Sequence, residues 1–137
     1  MMFFPNNNSK EDDLSKVAAL LIHAAKIDEN YSPIEEEIIK KALIEIGASS
    51  INVKEILDIG KKIEENSNQI LEFTREVKNM KEENKIKIIE TLWRIIYSNK
   101  EADIYETNLM RRLTGLLYID NKIMGDIKEK IKKEISR

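Results

Sequence analysis

Two acidic stretches hold the oxygen donors best placed to act together. The first offers Asp28, Asn30, Ser32, Glu35 and Glu36. The second offers Asn99, Glu101, Asp103 and Glu106. Hard divalent cations such as Ca²⁺, Mg²⁺ and Mn²⁺ collect several oxygen ligands, so each stretch has the donor chemistry of a weak cation site. Neither is an EF-hand: in a loop counted from Asp28, Pro33 stands where that motif needs glycine and Ile39 where it needs a bidentate glutamate. The candidate ligands are therefore Asp28, Glu35, Asn99 and Glu106, with Asn30, Glu36 and Asp103 in support. A second reading of the glutamates stays open. Glu35 and Glu106 each stand third after a residue able to cap a helix, Ser32 or Asp103, where a carboxylate binds an orphan N–H and complements the helix dipole. Asp28 has no such local use. Arg111 and Arg112 follow Glu106, and ion pairing with a neighbouring acidic stretch is expected of them ahead of phosphate binding.

Other chemistries find little support. There is no cysteine, which excludes disulfides, thiolate metal sites and cysteine nucleophiles, and His23 is the sole histidine, too few for a zinc site. Thr74, Ser98 and Thr107 are hydroxyls without a base nearby in sequence, and no glycine-rich phosphate loop occurs. No enzymatic activity is expected. With 23 basic against 25 acidic residues, no global field draws the chain to nucleic acid or an anionic membrane. The opening MetMetPhePhePro lacks the basic flank and length of a signal peptide, and no apolar run approaches a membrane span. The expectation is a soluble cytoplasmic protein; Phe3 and Phe4 with the lysine-rich last helix leave peripheral membrane contact as a minor alternative.

The elements that position these residues are helices. In 137 residues with 42% hydrophobic content there is material for one core, and the apolar spacing is helical throughout, with no period-two stretch. After a flexible tail over 1–8, a single domain over 9–137 begins with a helix from Ser9 that ends near Ile27. A second helix starts at Ser32 with Pro33 in its first turn, buries Ile34, Ile38, Ile39, Ala42 and Leu43, and ends at Gly47. Further helices are expected from Asn52, interrupted at Gly60, and from Asn66. The charged stretch 78–90 reads as the solvated start of the next, which carries Leu92, Trp93, Ile95 and Ile96 inward. A helix after Asp103 and a last one capped by Asp120 complete about seven.

The chain also says one thing twice. Leu21 aligns with Leu92, Ala25 with Ile96, Asp28 with Asn99, Glu35 with Glu106, Ile38 with Leu109 and Ile39 with Met110. Two similar helix-loop-helix units are thus expected. If they pack about a pseudo-twofold axis, their loops could pool their donors, the site weighted towards the first loop because Asn99 brings no charge.

Leu92 and Trp93, Ile96 to Asn99, Tyr105 and Glu106, Arg111 and Arg112, and Leu116 and Leu117 together resemble the second half of the TerB-like (tellurite resistance protein B-like) family. Ala24 to Asp28 followed by Glu35 is similar to its first half, and Phe73 and Thr74 to the segment between. The resemblance covers about residues 14 to 133. It implies an all-α fold of about seven helices, an acidic surface or cavity for divalent cations, a protein partner, and a link to tellurite or stress resistance. The family's loop glycine is replaced by Glu29 in the first unit and Lys100 in the second, and its second aspartate by Asn99. A metal-free structural or protein-interaction domain is the alternative.

Overall fold

The computed structural model describes residues 5–26, 32–66, 71–98 and 104–135, and for 5–12, 71–72 and 104–107 the backbone alone. Within these residues lie seven helices and no strand: α1 (Pro5–Ala25), α2 (Pro33–Glu45), α3 (Val53–Glu65), α4 (Leu71–Lys78), α5 (Glu82–Tyr97), α6 (Ile104–Leu116) and α7 (Asn121–Ile135).

The core is built around α1. From Val17 to Ile22 every side chain is apolar and at most 1% exposed. A helix apolar all round must be covered on all sides, and α1 packs against α2, α3, α4 and α5. The second central helix, α5, buries Ile88, Ile89, Leu92, Trp93, Ile95 and Ile96 and packs on α1, α2 and α7. Phe73, Trp93 and Tyr97 are core residues, as their helical spacing predicts.

Side-chain pairs fix the helix directions. Gly60 lies against Ser15, Ala18 and Ala19, and Glu64 against His23 and Lys26, so α3 runs parallel to α1. Likewise Lys130 meets Glu90 at 2.6 Å and Glu134 meets Arg94 at 2.7 Å, so α7 runs parallel to α5. Glu45 reaches Lys87, while Ile38 and Lys41 share a cleft with Arg94, so α2 runs antiparallel to α5. The start of α2 therefore lies beside the end of α5.

Several sequence expectations are corrected. α1 begins at Pro5, four residues before the start expected at Ser9; proline presets the first helical turn and needs no N–H there. Gly60 does not interrupt α3. A Cβ there would stand 2.6 Å from the Ala18 Cβ, so the glycine lets two backbones approach. α3 starts after Asn52 as expected, but the Asn52 side chain makes no capping hydrogen bond into the helix; its Oδ1 accepts the Ser49 N–H (2.9 Å) and its own N–H donates to the Ser49 Oγ (3.1 Å), a reciprocal pair in the turn before α3. Ile34, assigned to a buried stripe, is 68% exposed. Lys85 and Glu90 fall in the stretch expected to be solvated yet are buried, because the far end of α6 and the side of α7 cover them. Two caps stand as expected: Gly47 ends α2 with positive φ, and Asp120 accepts the Lys122 N–H at 2.7 Å.

Candidate functional site

The best-described candidate ligand is Glu35. Ser32 precedes α2 in extended conformation, its Oγ accepts the Glu35 N–H at 3.2 Å, and the Glu35 Oε1 accepts the Ser32 N–H at 2.8 Å. Both halves of a capping box are present, and Glu35 is 1% exposed. The carboxylate is thus committed to the first turn of α2, with one oxygen engaged by backbone. Glu36, one residue on, turns towards α3: its carboxylate lies 2.9 Å from the Lys61 ammonium and 3.9 Å from that of Lys40.

Asp28, Asn30, Asn99 and Asp103 lie outside the described residues. Glu106 is in the first turn of α6, its side chain likewise outside the description. Arg111 and Arg112 are exposed on α6; their pairing with the acidic stretches falls outside the described residues. The structure brings together the residues flanking both stretches. Lys26 follows the end of α1, Ser32 opens α2, and Ser98 closes α5, donating its Oγ–H to the Ile95 carbonyl at 2.6 Å. Because α2 is antiparallel to α5 and its start follows the end of α1, these three residues share one end of the bundle.

Glu64 joins that end without a signal in the linear pattern. It sits 12% exposed on the last turn of α3, its Oε1 2.8 Å from the Lys26 ammonium and its Oε2 3.4 Å from the His23 Nδ1. Only the parallel packing of α3 on α1 brings it there, and that packing depends on Gly60. Among the described residues no three His, Asp or Glu side chains converge as a metal cage.

A second polar cluster lies away from that end. Ile38, Lys41, Ala42, Glu45, Thr91, Arg94 and Glu134 line a cleft of about 290 Å³ between α2, α5 and α7. Arg94 donates to both Glu134 oxygens, Nε to Oε2 at 2.7 Å and Nη2 to Oε1 at 3.1 Å. That hydrogen-bonded pairing, against the opposing cost of desolvation, holds the Glu134 carboxyl below and the Arg94 guanidinium above their ordinary pKa values. Burial raises the Tyr97 hydroxyl, with the Glu129 charge adding to it. Among the described residues the cleft pairs no nucleophile with a positioned base, and Arg94 fastens the last turn of α7 through Glu134.

A family model described as "Tellurite resistance protein TerB" matches residues 14–129. The chain belongs to the TerB family. The match takes in every helix from the middle of α1 to most of α7, so the seven-helix architecture is that of a TerB domain throughout. No curated protein and no solved structure is matched by this TerB chain. No helix of the TerB domain is long and apolar enough, among the described residues, to cross a membrane.

Proposed function

We propose that this TerB domain is a soluble, non-enzymatic binding module of the cytoplasm, which holds a divalent cation weakly between the segments 27–31 and 99–103 and presents that end to a protein partner. The observation that carries the reading is the convergence of Lys26, Ser32 and Ser98 at one end of the bundle, so that two donor-rich segments leave from neighbouring points. Carboxylates gathered there repel one another without a counter-ion, and a bound cation relieves that repulsion while stabilising the fold by mass action. Glu35 takes part as the cap that fixes the start of α2, with at most one oxygen to spare for an ion. Asp28 is the principal ligand, Asn99 contributes a carbonyl oxygen, and Glu106 stands to α6 as Glu35 does to α2. The association with tellurite or stress resistance comes with the family.

Melting temperature measured against Ca²⁺, Mg²⁺ and Mn²⁺ tests the reading. Binding at a hundred times Kd would add about 2.7 kcal/mol of stability. The shift is expected in the native chain and in Glu83→Gln, an exposed acid at the far end of α5, and is expected to vanish in Asp28→Ala. A melting temperature indifferent to all three ions leaves the metal-free interaction domain as the function.

A further inference from the structure

A second site lies on a different face, where the ends of α4 and α6 meet. Thr74, Arg75, Lys78 and Leu116 line a pocket of about 230 Å³ whose lining, among the described residues, holds two cations and no acid. Among the described residues neither Arg75 nor Lys78 pairs with a carboxylate, whereas Lys16, Lys26, Lys40, Lys61, Lys87, Arg94 and Lys130 all do. Two like charges facing one pocket favour an anion between them. Arg112 is one helical turn before Leu116 on the same side of α6, and adds to the positive field.

The rim of the pocket carries the second observation. Tyr118 ends α6 with φ 56°, in the left-handed region, and the Ile119 N–H donates to the Thr114 carbonyl at 3.0 Å to close the turn. At the end of α2 the corresponding place is filled by Gly47, for which positive φ is free of strain. A side chain in this conformation costs about 1 to 2 kcal/mol. Burial does not offset that cost, because the Tyr118 ring is 74% exposed. The Lys78 ammonium lies 5.1 Å from the ring centroid, a cation–π contact that contributes about 0.5 to 1 kcal/mol at an exposed site. Strain kept at an exposed aromatic, next to unpaired cations, is the pattern of a surface held ready for a ligand.

We propose that this corner binds a phosphate monoester whose organic part is planar, the simplest being a free nucleoside monophosphate. The Arg75 and Lys78 N–H groups donate to the phosphate oxygens. The planar group lies on the Tyr118 ring, where stacking is worth about 1 to 3 kcal/mol per base. Lys78 already bridges the two parts, since it lines the pocket and covers the ring. On binding, its ammonium exchanges the ring for the phosphate.

Calorimetric titration of the full chain with AMP, ribose 5-phosphate, adenosine and a short oligoadenylate tests this. Saturable binding of AMP is expected, at least tenfold tighter than either fragment alone. In Arg75→Gln/Lys78→Gln it should weaken by about a hundredfold, two lost charge-assisted contacts at about tenfold each. Tyr118→Gly should raise the melting temperature by relieving the strained turn, yet bring AMP down to the affinity of ribose 5-phosphate. That opposition between stability and affinity is not expected of a residue that merely ends a helix. The proposal is overturned by the absence of saturable AMP binding, by binding that survives the double substitution, by equal affinity for AMP and ribose 5-phosphate, or by oligoadenylate binding far tighter than AMP, which would assign the corner to nucleic acid.

Discussion

At the scale of single residues, Glu35 shows how one carboxylate can satisfy two readings of a sequence. Its position three after Ser32 fits a cap, its company of acids fits a ligand, and the hydrogen bond it accepts from the Ser32 N–H establishes the first role. Glu35→Ala should destabilise the chain by about 0.5 to 2 kcal/mol in chemical denaturation. Glu35→Gln should lose much less, since an amide oxygen still accepts that N–H. A ligand role for Glu35 would instead make both substitutions equally harmful to the cation-induced shift. The Arg94–Glu134 pair makes a pH prediction. Its hydrogen bond to Arg94 lowers the Glu134 pKa below that of the unfolded chain, so its contribution is complete above the unfolded value and is lost as pH falls through the folded one. Denaturation of native chain and Glu134→Gln should therefore differ at neutral pH and converge in acid. Exposure of the Glu134 side chain and solvent screening keep that difference small.

At the scale of elements, α1 and α3 are held by close contact between small residues. Ser15, Ala18 and Ala19 of α1 meet Gly60 of α3. Gly60→Ala should cost about 1 to 3 kcal/mol, because the new methyl group meets the Ala18 Cβ and the Ser15 carbonyl and the helices must separate. Among the described residues the buried Ser15 Oγ has no hydrogen-bond partner, so Ser15→Ala should be neutral or stabilising by up to about 1 kcal/mol. The two variants moving melting temperature in the same direction would contradict this account of the crossing. The number and order of helices were legible because each carries its own apolar spacing, and α2 and α7 carry their own side-chain caps as well. Gly60 was misread for a physical reason: glycine in a helix lowers local propensity, and only the neighbour across the crossing shows why it is tolerated. The Lys85 and Glu90 positions failed similarly. Their charges mark a solvated face until α6 and α7 supply a carbonyl and an ammonium to meet them. Neither Glu64 at the end of α1 nor Arg75 beside Lys78 and Tyr118 has a linear signature, because each is placed by a helix packed from elsewhere in the chain.

At the scale of the whole molecule, α2 and α6 are each 13 residues long, and in the alignment that sets Glu35 on Glu106 their first and last residues coincide. α3 lies parallel to α1 as α7 lies parallel to α5. The two units expected from the sequence differ at their corners, Gly47 against Tyr118 and Asp28 against Asn99. Two surfaces differ in character: the end shared by Lys26, Ser32 and Ser98, and the corner where α4 and α6 meet, whose described lining is basic. The most direct measurement of the central claim is paramagnetic broadening of amide NMR signals during a Mn²⁺ titration of the full chain. The account predicts that Lys26, Ser32 and Ser98 broaden together at the lowest metal concentrations, while Ser49 and Glu83, at the opposite ends of α2 and α5, stay sharp. Broadening at only one of the two segments, or across the surface without preference, would contradict it.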